Sequence, residues 1–185
     1  MPDVKLAVRN DVLDKRRALP TESRKQKSQA IVDSLIELSL YKNAMTIATY
    51  FPLKSEVDLS RLLRLEHRSK SFVAPRTLPN FELSFHRVTP SDTFETGFGG
   101  AQQPTEAADL VSPGEIDLFL VPLAACDRQG TRLGFGKGYY DRALAGAAGY
   151  KLGIGFQCQL VDNVPFDSYD VTMNGFLSEE ELIQF

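Results

Sequence analysis

The chain has little cysteine, little histidine and no long hydrophobic run. Cys126 and Cys158 are the only thiols among its 185 residues. Two cysteines do not make a disulfide framework, and a metal site built on them needs other ligands nearby. No apolar stretch approaches the roughly 20 residues of a membrane span, so no membrane association is expected. The opening MPDVKLAVRN has no apolar segment behind its charges, which predicts no secretory signal and a reducing, cytoplasmic setting. An excess of positive charge is missing too. The net charge is −3, which argues against a nucleic-acid partner for the chain as a whole. There is no internal repeat and no low-complexity tract. His67 and His86 stand in no catalytic pattern and are expected at the surface.

What is present is the composition of a soluble globular protein, with 43% hydrophobic and 24% charged residues. The length suits one domain spanning 1–185 with a sizeable core, and is short for two. The first 27 residues are locally basic, with Lys5, Arg9, Lys15, Arg16, Arg17, Arg24, Lys25 and Lys27. Most of these are expected on a solvated helix face. A monomer acting on small molecules is the expected form.

Val4, Val8 and Val12 recur at helical spacing and predict a helix over 3–19, ended by Pro20. Thr21 is the expected N-cap of a second helix that carries Ile31, Leu35 and Leu38 on one face. Met45–Phe51 reads as a buried strand stopped by Pro52, and VDLSRLLRLEHR as a short helix. SFVAP reads as a strand ending at Pro75, and FELSFHRV as a half-exposed, antiparallel strand. Residues 89–114 are polar, with several glycines and prolines, and read as one long loop. Ile116–Pro122 is the most apolar strand and the expected centre of the sheet. A turn follows at Asp127–Gly130, then a glycine-rich segment, a helix over about 139–148, a strand at Lys151–Phe156 and a last short strand within 171–177. Helices alternating with apolar strands argue for an α/β sheet covered on its faces.

The segment RLGFGKGYYDRAL, Arg132 to Leu144, carries the chemistry. Gly134, Gly136 and Gly138 stand at alternate positions between a strand and a helix. Glycines free the backbone to approach a ligand closely. Successive N–H groups and a helix start then favour an anion. Arg132 and Lys137 add full charges, and an arginine grips phosphate with two parallel hydrogen bonds. Asp141, in the first helical turn, suits Mg²⁺ held beside phosphates. The pattern is neither GxGxxG nor the P-loop GxxxxGK followed by Ser or Thr. On composition alone, a phosphate loop and a tight strand-to-helix turn with Asp141 complementing the helix dipole both remain open.

The wider segment VPLAACDRQGTRLGFGKGYYDRAL resembles the signature of the 5-formyltetrahydrofolate cyclo-ligases, also called 5,10-methenyltetrahydrofolate synthetases. Val121, Pro122, Asp127, Gly130, Arg132, Leu133, Gly134, Gly136, Gly138, Tyr139, Tyr140, Asp141 and Leu144 carry the match. Leu123 and Cys126 depart from the usual glycine and phenylalanine. Lys5 and Arg9 match a basic pair on the first helix, Glu56 in IATYFPLKSEVDL a glutamate after a strand, and Asp170 in PFDSYDVTMNGFLSEE a late aspartate. Tyr169, Ser178 and Gln103 stand where the family usually has His, Thr and Glu.

The resemblance implies a three-layer α/β/α fold with a mostly parallel central sheet, akin to the NagB/RpiA/CoA-transferase-like group. It also implies ATP- and Mg²⁺-dependent closure of 5-formyltetrahydrofolate to 5,10-methenyltetrahydrofolate, with ADP and phosphate released. By the same resemblance Lys137 and Arg132 are catalytic. ATP falls to Lys5, Arg9, Arg132, Leu133, Gly134, Phe135, Gly136, Lys137, Gly138, Tyr139 and Tyr140. The folate falls to Arg9, Phe51, Glu56 and the stretch Phe135, Gly136, Lys137, Gly138 and Tyr139. Asp141 and Asp170 are the implied Mg²⁺ ligands, with Asp167 three residues away as a competing acid. Two other functions stand as alternatives: a sugar-phosphate isomerase or transferase of similar fold, which needs no ATP, and a nucleic-acid-binding domain using the basic N-terminal helices.

Overall fold

A computed structural model describes residues 2–185 and their side chains, except those of Pro2, Asp3 and Phe98. Two long helices, α1 (Pro2–Ala18) and α2 (Thr21–Glu37), precede a short α3 (Ser39–Asn43) and the first strand, β1 (Thr46–Ala48). Helix α4 (Ser60–Glu66) leads to the hairpin of β2 (Ser71–Leu78) and β3 (Glu82–Val88). Then come β4 (Phe94–Thr96), β5 (Gln102–Pro104), β6 (Leu110–Val111), β7 (Leu118–Pro122), β8 (Ala125–Asp127) and β9 (Arg132–Leu133). Helix α5 (Tyr139–Leu144), β10 (Tyr150–Ile154), β11 (Leu160–Val161), β12 (Gly175–Leu177) and β13 (Leu182–Gln184) complete the chain.

The main sheet has eight strands in the order β13-β12-β10-β7-β1-β2-β3-β6. The five from β12 to β2 run parallel, and β13 and β3 pair antiparallel with their neighbours. Every residue of β7 is buried, as expected of a central parallel strand. Its alternation divides the core. Leu118 and Leu120 join Ile47, Phe72 and Ile154 against α2 and α4, through Ile31, Leu35 and Leu62. Phe119 and Val121 face the other way with Val73 and Phe85, against Leu144 of α5. Helices therefore cover both faces of the sheet, giving three layers. A small sheet, β11-β8-β9, sits to one side, and Val8 and Val12 of α1 pack on it through Ala125, Leu133 and Val164.

Several sequence expectations are corrected. Pro20, not Thr21, occupies the N-cap of α2; its fixed φ suits the entry, while Thr21 Oγ1 accepts from Arg24. Leu38 ends α2 in extended backbone rather than lying on its face. Strand β2 passes through Pro75 to Leu78. Its last β1 partner is Val73, so beyond that point it has lost its β1 neighbour, where a missing N–H is tolerated. The 89–114 stretch is not one loop: it folds β4 and β5 into a hairpin and adds β6 to the sheet edge. That stretch also buries His86, whose Nδ1 lies 2.7 Å from the Ala108 carbonyl and whose Nε2 lies 2.9 Å from Ser84 Oγ. Helix α5 stops at Leu144, short of 148, and Gly146 follows at φ 75°. Helix α3 and strands β8, β9, β11 and β13 have no counterpart among the sequence expectations.

Candidate active site

A cleft of about 570 Å³ lies beyond the C-terminal ends of β1 and β7, where open α/β sheets usually take ligands. Its first wall is the segment from Arg132 to Asp141. Arg132 is 5% exposed. Its Nη2 donates to Asp141 Oδ1 at 2.9 Å, and its Nη1 reaches the Pro122 carbonyl at 3.4 Å. The guanidinium carbon lies 5.6 Å from the centre of the Tyr140 ring. One edge of this guanidinium is thus committed to Asp141, which differs from the free fork expected for phosphate. Arg132 Nε is buried with no hydrogen-bond partner among the described residues.

The glycines have separate reasons. A Cβ on Gly134 would sit 2.8 Å from Arg132 Nη1, and the Gly134 carbonyl accepts from Arg9 Nε at 2.8 Å. Gly136 and Gly138 have φ of 91° and 71°, a region other residues resist. Gly138 is the N-cap of α5. That helix has six residues, so it sums few peptide dipoles; positive potential here comes mainly from side chains. Lys137 Nζ sits 5.6 Å from the Phe81 ring centre, and Phe81 packs edge-on against Tyr139 at 5.8 Å.

Helix α1 supplies the second wall. Lys5 and Arg9 are one turn apart and both reach the cleft. Lys5 Nζ bridges Asp170 Oδ2 at 2.5 Å and Asp167 Oδ2 at 2.8 Å. Burial pulls the Lys5 pKa down, but the two carboxylates outweigh it and hold the ammonium above its ordinary value. Asp170 Oδ2 also accepts the Asp167 N–H at 2.7 Å. The Val171 N–H points at Asp141 Oδ1 at 3.4 Å, so Asp141 and Asp170 flank one end of the cleft. Among the described residues no cluster of three His, Cys, Asp or Glu side chains is arranged to hold a metal. A pair of carboxylates still fits Mg²⁺, which commonly takes one or two and fills its shell with phosphate oxygens and water. Tyr169, beside this pair, is 87% exposed. Ser178 is buried instead, donating to Gln157 Oε1 at 2.6 Å and accepting the Glu181 N–H at 3.1 Å.

The third wall follows β1. Tyr50 donates to the Val57 carbonyl at 3.1 Å, and Phe51 stacks at a tilt on Phe94, with ring centres 4.5 Å apart. Glu56 Oε2 accepts the Leu53 N–H at 2.8 Å. Its Oε1 is buried and has no hydrogen-bond partner among the described residues. Burial pushes the Glu56 carboxyl up, while the Leu53 N–H and Arg16 pull it down. Opposite stand Thr77 of β2 and Gln103 of β5. Gln103 Oε1 accepts from Thr77 N at 3.1 Å and Thr77 Oγ1 at 2.8 Å, and its Nε2 donates to Glu95 Oε1 at 2.9 Å. An amide serves here as both acceptor and donor, whereas a carboxylate would face Glu95.

Each site residue named from the sequence lines this cleft: Lys5, Arg9, Phe51, Glu56, the run 132–141 and Asp170. Thr77 and Leu83 of the β2–β3 hairpin were missed, because nothing local marks a strand end as a pocket wall. Arg16 was also missed. It falls one α1 turn beyond the buried Val12 and is itself 3% exposed; the spacing 5, 9, 12, 16 was the available signal.

The model of the 5-formyltetrahydrofolate cyclo-ligase family matches residues 2–179. The chain belongs to that family. A 5-formyltetrahydrofolate cyclo-ligase of Mycoplasma pneumoniae is 32% identical over 181 residues, which span 95% of this chain and 99% of the relative. One from Haemophilus influenzae is 29% identical over 173 residues, spanning 90% and 92%. The solved structure of Aquifex aeolicus 5,10-methenyltetrahydrofolate synthetase has a TM-score of 0.88 at 34% identity, covering 98% of this chain and 92% of that one. The three-layer α/β/α fold is shared with these cyclo-ligases, and the chain is an enzyme of the ligase class. Among the described residues, no helix is long and apolar enough to cross a membrane.

Proposed function

We propose that this cyclo-ligase family enzyme closes 5-formyltetrahydrofolate to 5,10-methenyltetrahydrofolate, using ATP and Mg²⁺ and releasing ADP and phosphate. The observation that carries the reading beyond family membership is Glu56. Glu56 lines the same cleft as the cation-rich glycine loop, and its Oε1 is buried with no hydrogen-bond partner among the described residues. A buried carboxylate oxygen left without a donor costs about 1–3 kcal/mol or more, which a ligand N–H can recover. The paired N–H groups of a pterin edge suit such an acceptor.

The chemistry needs positioning and charge neutralisation more than a strong base. The formyl oxygen attacks the γ-phosphorus of ATP, and the P–O bond to ADP breaks. The N5 lone pair completes a C=N⁺ bond, making the former oxygen a phosphate leaving group. N10 attacks that carbon, phosphate departs, and N10 gives up its proton. Lys137 neutralises charge on the transferring group. Lys5 and Arg9 approach the triphosphate from α1, and the backbone of 133–140 wraps it. Arg132, tied to Asp141, adds positive potential and fixes that carboxylate. Phe51, Phe135 and Tyr139 line the folate side.

Asp141 and Asp170 are the residues that would hold Mg²⁺, which when bound neutralises the phosphate oxygens. The enzyme is further proposed to act as a monomer in a reducing, cytoplasmic setting. Cys126 and Cys158 are both free thiols, and burial pushes Cys126 up to about 12, so it stays protonated and inert.

The test is a turnover assay. Purified protein with 5-formyltetrahydrofolate, ATP and Mg²⁺ should produce the absorbance of the methenyl product together with equimolar ADP. Omitting ATP should abolish both. Absence of product under these conditions overturns the proposal, and ATP-independent conversion of a sugar phosphate would put an isomerase in its place.

A further inference from the structure

Arg16 is among the most buried charges in the protein, at 3% exposure. Its guanidinium meets distant parts of the chain. Nε donates to Ser55 Oγ at 3.1 Å, and Nη1 reaches the Leu123 carbonyl at 3.4 Å. The Phe135 ring centre lies 5.6 Å from its central carbon. Nη1 stands 4.0 Å from Glu56 Oε1, the oxygen that has no hydrogen-bond partner among the described residues. That separation is too long for a hydrogen bond, yet close enough for strong attraction away from water.

The other groups around Glu56 cannot replace this charge. Leu53 contributes one N–H, already on Oε2. Tyr50 spends its hydroxyl proton on the Val57 carbonyl. Burial raises both Tyr50 and Tyr140 above the ordinary phenol value, and nearby Glu56 adds to it; neither is charged in the physiological range. Arg16 is the only cation within 4.0 Å of the Glu56 carboxylate among the described residues.

We infer that Arg16 is a positioning residue for substrate recognition: it keeps Glu56 anionic and fixed at the cleft without taking Oε1 into a hydrogen bond, and it backs the Phe135 wall of the same pocket. The ligand chemistry this arrangement favours is a flat heterocycle with an N–H edge, which Oε1 accepts from while Phe135 covers its face. On the function proposed above, that heterocycle is the pterin, and the inference rests on that function. Without Arg16, burial acts on Glu56 with less opposition, so its carboxyl titrates still higher. A protonated Glu56 can turn its own O–H toward the ligand's donors, and recognition weakens as pH falls.

The experiment compares wild type, Arg16→Met, Arg16→Lys, Glu56→Gln and the double variant Arg16→Met/Glu56→Gln, by ADP release at about pH 6 to 8.5. Folding is checked by circular dichroism. Arg16→Met should raise KM for 5-formyltetrahydrofolate by up to about tenfold at the acid end of the range and less as pH rises, with the pH midpoint of that KM displaced upward by about one unit. Its kcat and its KM for ATP should stay within about twofold. Arg16→Lys, which keeps the charge, should restore the wild-type midpoint. The double variant removes both charges and so should fold even if Arg16→Met does not. It should match Glu56→Gln in KM and show no pH midpoint of its own. An unmoved midpoint in Arg16→Met, or a further tenfold loss in the double variant over Glu56→Gln, overturns the inference. Failure of the underlying function looks different: wild type itself then neither turns over nor binds 5-formyltetrahydrofolate.

Discussion

Replacing Gly136 with alanine, beside a matched change at Gly146, separates backbone strain from contact inside the cleft. Both glycines hold left-handed backbone, at φ of 91° and 75°. An L-residue there costs about 1–2 kcal/mol. What surrounds the added methyl differs. At Gly146 nothing lies within 4 Å, whereas at Gly136 three guanidinium atoms of Arg9 stand at 3.3, 3.4 and 3.5 Å. Gly136→Ala must therefore push Arg9 by a few tenths of an ångström, and Arg9 is anchored by the 2.8 Å bond from its Nε to the Gly134 carbonyl. For a domain of this size each kcal/mol moves Tm by roughly 2–4 °C. Both variants should thus melt about 2–8 °C below wild type. Only Gly136→Ala should lose function, with KM for ATP up about tenfold from the misplaced cation. Thermal melts by circular dichroism and ATP-dependent turnover measure the two effects; the chain has no tryptophan to report by fluorescence. Equal activity in the two variants would refute the role given to the loop backbone and Arg9. Unchanged melting in both would refute the strain.

Lys137→Ala should lower kcat/KM about 10²-fold and leave the melt within about 2 °C of wild type, since among the described residues the Nζ meets only the exposed Phe81 ring; unchanged turnover would remove Lys137 from the phosphate site. Asp141→Asn should raise the Mg²⁺ concentration for half-maximal activity about tenfold. It should also cost about 1–3 kcal/mol, because Arg132 loses its charged partner; an unaltered Mg²⁺ titration would move the metal elsewhere. Asp127 is 1% exposed and accepts the N–H groups of Gln129, Thr131 and Val164 at 3.0, 2.9 and 2.9 Å. Asp127→Ala should therefore cost about 3–5 kcal/mol in urea unfolding, and a loss under about 1 kcal/mol would show that water replaces those bonds.

The glycine loop was readable from the sequence because its properties are local. Alternate glycines, Arg132, Lys137 and Asp141 fall within ten residues, and the φ of Gly136 and Gly138 is a matter of a single backbone unit. The apolar run at Leu118–Pro122 announced a central strand for the same reason, since alternation along one strand feeds both faces of a sheet. Lys5, Arg9, Glu56 and Asp170 entered through the family resemblance; their own neighbours in the chain distinguish them little from surface charges.

What only the tertiary structure decided is which charges are buried and what they meet. Arg16 looked like its solvated neighbours Lys15 and Arg17, yet it alone turns inward, to a carbonyl 107 residues away. Asp167 and Asp170 could not be separated by sequence, and in the fold Lys5 takes both. His86 read as a surface residue until β6 and the Ala108 carbonyl closed over it. Arg132 read as a free phosphate fork, and the fold gives one edge of it to Asp141. Periodicity and glycine placement are set within a few residues, so sequence carries them. Burial and ion pairing depend on groups brought together from distant segments, and those partners exist only once the sheet and its covering helices have assembled.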